Sequence, residues 1–165
     1  MIAWGRKYAL DSNVFILAFR DEGRREELQR FRSAHAPWEH LSAVVAQELR
    51  AGARSDVAGA RLRRHILEPL ERRGRVFAPT YAGWLKAGEA LARLCVRDSQ
   101  TVRELGRTFL NDVLLAASCR EAGVVLVTNN GRDFARIQRV LSFEFVHVWP
   151  SDQYSTIAQG AHDGH

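Results

Sequence analysis

The stretch Val124-Val125-Leu126-Val127-Thr128 constrains this chain more than any other. It is a run of β-branched and apolar residues, closed by Gly123 before it and by Asn129-Asn130-Gly131 after it. A strand that is apolar on both faces is characteristic of a parallel sheet covered by helices on each side. The rest of the chain has to supply those helices and the neighbouring strands.

Shorter segments meet that requirement. Residues 8–11 are an apolar run ending in a polar group, residues 75–79 read as another strand, and residues 143–148 alternate like a last one. Residues 35–42 hold a further short strand or turn. Helical patterns fall between them, at 13–19, 21–33, 42–50, 55–73, 81–96, 108–122 and 131–140. Ser42 is a good N-cap, Gly52 and Gly123 are plausible stops, and Pro69 predicts a kink or an early end in the long Arg-rich helix. Strands alternating with helices imply parallel pairing through right-handed crossovers. The expected fold class is therefore α/β, a three-layer α/β/α sandwich with a mainly parallel central sheet. Residues 1–150 form the single domain, and the small, polar residues 151–165 form a disordered tail. In such sheets ligands sit beyond the carboxyl ends of the strands.

Composition narrows the class. With 165 residues there is room for one proper core, and 46% hydrophobic against 26% charged residues excludes disordered and fibrous chains. The longest apolar runs, 113–117 and 124–127, are too short to span a bilayer, and the first ten residues carry no apolar run of a secretory type. Cys95 and Cys119 stand alone in apolar helical patterns, as core thiols of a reducing compartment do. The expected location is the cytoplasm. The net charge of +5 is almost wholly arginine, since Lys7 and Lys86 are the only lysines. Arginine binds phosphate bidentately, so a polyanionic partner fits, although an Arg-rich genome would give the same excess.

The acids carry the chemistry. Asp11 ends the first strand, where α/β sites form, and its plainer role is to cap the next helix, as Ser12 also could. Glu48 shares a helical face with Val44 and Val45, where a carboxylate is costly unless an arginine such as Arg50, or a metal, pairs with it. Asp112 follows Phe109 by three residues and precedes Leu115 and Ala116 by three and four. Its apolar face and its position in the first turn of a helix make capping the alternative. Asn129, Asn130 and Asp133 follow the buried strand, where Asn-Asn-Gly favours a turn with left-handed backbone. Acids gathered at two strand ends and on two helices repel one another, and a hard cation relieves that repulsion. All-oxygen ligation suits Mg²⁺ or Mn²⁺ better than Zn²⁺. No His-rich spacing competes, because His35, His40, His65 and His147 are scattered and His162 and His165 belong to the tail.

Four segments, in order, carry a resemblance. They are Leu10-Asp11-Ser12-Asn13-Val14-Phe15-Ile16, Ala46-Gln47-Glu48-Leu49, Asn111-Asp112-Val113-Leu114-Leu115-Ala116-Ala117-Ser118 and Val127-Thr128-Asn129-Asn130-Gly131-Arg132-Asp133-Phe134. From about residue 8 to residue 149 the chain resembles the PIN domain family, and VapC-like toxins in particular. The resemblance implies a ribonuclease in which Asp11, Glu48 and Asp112 hold Mg²⁺ or Mn²⁺ and a metal-activated water attacks the phosphodiester. It also implies RNA as substrate, a cognate antitoxin covering the site, and a homodimer. Ser12, Asn13 and Thr128 would orient the acids. Where the family often has a fourth acid this chain has Asn130, with Asp133 three residues on. Either Asp133 substitutes or Asn130 positions a water.

Three other readings compete. A catalytically impaired PIN domain that binds RNA without cutting is made conceivable by Asn130. A haloacid-dehalogenase-like phosphatase needs a second Asp two positions after the first, and that position is Asn13. A nucleotide-binding module needs a Gly-rich loop after the first strand, and none follows residues 8–11.

Overall fold

The computed structural model describes residues 5–148. The tail expected at residues 151–165, with His162 and His165, lies outside them. Five parallel strands are described: β1 (Tyr8–Leu10), β2 (Glu39–Ser42), β3 (Val76–Phe77), β4 (Val125–Thr128) and β5 (Phe145–His147). They form one sheet in the order β3-β2-β1-β4-β5. Around it lie α1 (Ser12–Arg20), α2 (Glu22–His35), α3 (Ala43–Gly52), α4 (Asp56–Leu62), α5 (Glu68–Arg72), α6 (Tyr81–Asp98), α7 (Val102–Leu105), α8 (Arg107–Ala122) and α9 (Gly131–Gln138). This is the expected α/β/α architecture, with every described pairing parallel.

The strand order fixes where a site can form. From β1 the chain steps to β2 and β3 on one side, then returns to place β4 and β5 on the other. The crevice between the carboxyl ends of β1 and β4 is thus the topological switch point. Tyr8, Ala9 and Leu10 in β1, and every residue of β4, are buried. That burial is why both segments are apolar on both faces.

Several boundaries differ from the sequence expectation. The helix expected over 55–73 is broken by a π-helical turn, Arg63–Leu67, between α4 and α5. Pro69 lacks an N–H and its ring crowds the carbonyl four residues back, and a wider turn just upstream accommodates that defect. The third strand shrinks from 75–79 to two residues, and residues 35–42 divide into the end of α2, one 3₁₀ turn (Ala36–Trp38) and β2. Asp11 lies one residue beyond β1, although its N–H still bonds Val127 O at 2.9 Å. Helix α7 was not anticipated. Cys119 is buried as expected, whereas Cys95 is only half-buried. Among the described residues no helix is long and apolar enough to cross a membrane.

Candidate active site

The register of β1 against β4 builds the site. Leu10 pairs with Val127, so the next residue on each strand, Asp11 and Thr128, emerge side by side at the switch point. Thr128 Oγ1 donates to Asp11 Oδ2 at 2.7 Å, and Asn13 Nδ2 donates to the same oxygen at 2.7 Å. Asn13 Nδ2 also reaches Thr128 Oγ1 at 3.2 Å, and Asn13 Oδ1 accepts from the N–H of Asn129 at 3.2 Å. The backbone and hydroxyl of Ser12 favour the ionised form of Asp11, by less than Thr128 does. Asp11 occupies the N-cap position of α1 but makes no side-chain cap bond, so the capping alternative fails. Its side chain is committed to the crevice.

Glu48 is half-buried on α3. Its Oε1 accepts from Asn111 Nδ2 at 2.9 Å, whereas Arg50 donates to Ala53 O. The arginine partner considered for Glu48 is thus replaced by an amide from α8. Sequence reasoning gave Asn111 no role. Its signal was present, since Asn111 and Asp112 are a polar pair between Phe109-Leu110 and Val113-Leu114.

Asp112 is the sixth residue of α8, which begins at Arg107, so it lies past the first turn and does not cap it. It is 7% exposed and Asp11 3%. Asn130 bridges toward it: Nδ2 donates to Asp112 Oδ2 at 3.3 Å and to Asp133 Oδ2 at 2.9 Å, while Asn130 N–H bonds Thr128 Oγ1 at 2.9 Å. The left-handed turn considered for Asn129-Asn130-Gly131 does not occur. Asn130 has φ −95°, and α9 starts directly after it.

Charge ties the acids together. Burial pushes Asp11 up to about 6, with the Glu48 charge adding to it and the Thr128 hydrogen bond opposing it. Burial, then the charges of Asp11, Glu48 and Asp133, push Asp112 up to about 8. A carboxyl that resists ionisation among three other acids lacks a positive partner. Among the described residues no group of three His, Cys, Asp or Glu side chains is placed to hold a metal ion as it stands. The donors fit a hard divalent cation by chemistry and by charge, being all oxygen and mutually repelling. Beside Glu48 opens a groove of about 1010 Å³, lined by Phe15, Leu49 and Ile66 and bordered by Arg25 and Arg61.

Comparison with known proteins gives the same architecture. The PIN domain model matches residues 8–140. The fold is similar to VapBC from Salmonella typhimurium, crystallised with DNA, at 22% identity and a TM-score of 0.63 over 86% of this chain and 98% of that one. It is also similar to VapBC-1 from nontypeable Haemophilus influenzae, at 24% identity and a TM-score of 0.60 over 85% and 96%. FitAcB from Neisseria gonorrhoeae is similar at 16% identity and a TM-score of 0.59 over 84% and 95%. No curated protein matches the chain.

Proposed function

This chain belongs to the PIN domain family, whose members are nucleases that generally use divalent metal ions, and from that premise we propose that it is a metal-dependent endoribonuclease and the toxin of a toxin–antitoxin pair. The observation that carries the reading is the linked hydrogen bonding of the acids at the switch point: Thr128 Oγ1 holds Asp11 and accepts the N–H of Asn130, whose amide reaches both Asp112 and Asp133. Asp11, Glu48 and Asp112 would hold Mg²⁺ or Mn²⁺, and a bound ion supplies phosphoryl polarisation and a water of lowered pKa. Thr128 and Asn13 fix one oxygen of Asp11, and Asn111 fixes one oxygen of Glu48, which leaves the other oxygen of each acid for a common ligand. Asp133, next to Asn130, is the fourth acid.

RNA is the proposed substrate, the cytoplasm the proposed location, and a cognate antitoxin and a second copy of the chain the proposed partners. VapC-like relatives support the antitoxin, and the arginines beside the groove support a polyanion. A catalytically impaired, RNA-binding PIN domain is the second reading. It is favoured by Asn130, whose amide donates to two acids where a further carboxylate would bind metal. The phosphatase reading is disfavoured, since Asn13 serves Asp11 as a hydrogen-bond donor and carries no acid. Incubating purified protein and labelled RNA with Mg²⁺, Mn²⁺ or EDTA separates these readings. The nuclease cuts only with metal, the impaired domain binds without cutting, and cleavage undiminished by EDTA would overturn the metal-dependent proposal.

A further inference from the structure

Two rungs join α8 to α9. The first is in the acid group, where Asn130 Nδ2 donates to Asp133 Oδ2 at 2.9 Å and to Asp112 Oδ2 at 3.3 Å. The second lies one turn away. The Arg136 guanidinium sits over the ring of Phe109, 4.7 Å from its centroid. Its Nε donates to Asp98 Oδ2 at 2.8 Å and its Nη2 to Gln100 Oε1 at 2.6 Å. Arg136 follows Asp133 by three residues, and Phe109 precedes Asp112 by three. The two rungs are therefore about 4.5 Å apart along each helix, on the same faces.

We propose that Arg136 is a positioning residue for the acids: clamped on Phe109, Asp98 and Gln100, it fixes where α9 presents Asp133 and Asn130 to Asp112. The proposal rests on the metal-dependent nuclease reading, because what the clamp fixes is the arrangement of those acids.

Three observations carry it. The first is what the other contacts leave undone. The 3.3 Å bond from Asn130 to Asp112 is longer than an ordinary N–H···O bond and holds the two helices weakly. Phe134 and Ile137 are fully buried, and Phe134 meets the rings of Phe143 and Phe145. Apolar contacts of this kind are non-directional. A planar fork of donors sets both a distance and an angle.

The second is where the charge goes. An arginine three residues from an aspartate on a helix is placed to pair with it. Here the guanidinium is spent on Asp98, Gln100 and Phe109, and the Asp133 carboxylate takes the neutral amide of Asn130 instead. Asp98 thus draws the cationic side chain of α9 away from the acids, which leaves Asp133 for a metal ion.

The third is the anchor. Asp98 ends α6, and Gln100 lies two residues on, across Ser99. Ser99 has a φ of 52°, the one left-handed value of a non-glycine residue among the described residues. Gln100 N–H bonds Cys95 O at 3.0 Å, and the capping box of Thr101 with Glu104 follows directly. Arg136 therefore grips a turn that is fixed on both sides, as a support that transmits position must be.

The test uses the full chain, Mg²⁺ and labelled RNA. Arg136→Gln should slow single-turnover cleavage at saturating RNA by about 10–100-fold and leave the RNA dissociation constant in EDTA within about twofold. It should also shrink the melting shift on adding Mg²⁺. Arg136→Lys should recover little, because an ammonium cannot span Asp98 and Gln100 as a fork. In an Asp133→Asn background, Arg136→Gln should add less than about twofold to the slowing and nothing to the loss of Mg²⁺ shift, since residues that act through one another are not additive. Ile137→Val loosens the same helix away from the clamp and should lower the melting temperature while keeping the wild-type rate. Asp98→Asn carries the same cycle with a milder change, should Arg136→Gln not fold. Losses that multiply in the double variant, or a Mg²⁺ shift that Arg136→Gln leaves whole, would overturn the positioning role. A wild type that gains stability with Mg²⁺ without cutting RNA overturns the ribonuclease reading alone, and the clamp is then decided on the Mg²⁺ shift. A wild type that does neither overturns both.

Discussion

Thr128 Oγ1 donates a 2.7 Å hydrogen bond to Asp11 Oδ2 across the junction of β1 and β4. The same hydroxyl accepts the N–H of Asn130, so a single oxygen links the acid of the first strand to the residue that bridges Asp112 and Asp133. Replacing Thr128 by Val keeps the shape and removes both bonds together with the 3.2 Å bond from Asn13 Nδ2. The cleavage rate should fall by about 10–100-fold, as losing an outer partner of a metal ligand typically costs. Stability should fall by about 1–3 kcal/mol for the unsatisfied N–H. Single-turnover kinetics with thermal melts would check both.

Asn130 and Asp11 should separate in a mutational comparison. Asn130→Ala removes a neutral donor and should lower the cleavage rate modestly, whereas Asp11→Asn removes a charged ligand at the switch point and should abolish cleavage. Equal losses from the two would mean that the fourth side of the site is misassigned.

Raised carboxyl pKa values have a sign that can be measured without metal. Asp112 holds its proton to about 8 in the fold but to about 4 when unfolded. Between those values the folded state binds more protons, so this group makes stability fall as pH rises from about 4 to about 8 and level off above. In EDTA, wild type should therefore melt higher at pH 5.5 than Asp112→Asn predicts from its own pH trend. The difference between the two profiles should vanish if burial and the neighbouring charges do not act on Asp112.

Arginines at the groove should register as salt dependence. Arg61 borders the groove that reaches Glu48, whereas Arg75 is spent on Ala36 O and Arg72 on Glu68. Affinity for a single-stranded RNA should fall steeply with salt. Arg61→Ala should reduce the log–log slope by about 0.7, one phosphate contact. Arg73→Ala, outside the groove, should leave the slope unchanged.

Much of this could be read in the sequence where one cause acts alone. The residues of β4 announce a doubly buried strand because every one of them is buried, and Asp11 announces a site because a polar residue follows the apolar end of β1. Glu48 and Asp112 stood out as acids among apolar neighbours. The register of β1 with β4 was not legible, and it is what turns Thr128 and Asp11 into a pair. Asn111 went unassigned because its partner lies 63 residues away. Helix α7 is too short to show a hydrophobic period. Its signature is the capping box of Thr101 with Glu104, which needs no apolar face. The break at Arg63–Leu67 could not be placed by periodicity, because Pro69 marks the defect several residues downstream of where the helix absorbs it.

The central claim is that Asp112 belongs to a metal-holding group of acids, and the direct measurement is the melting shift on adding Mg²⁺, wild type against Asp112→Asn. An ion that binds only the folded state stabilises it by mass action, so a lost ligand must shrink the shift. Wild type should gain stability with Mg²⁺. The variant should gain little, should cut RNA slower by orders of magnitude, and in EDTA should be no less stable than wild type, because the fold no longer has to hold a buried carboxyl protonated against its neighbours' charges. A variant that keeps the full Mg²⁺ shift and cuts at the wild-type rate would contradict the account.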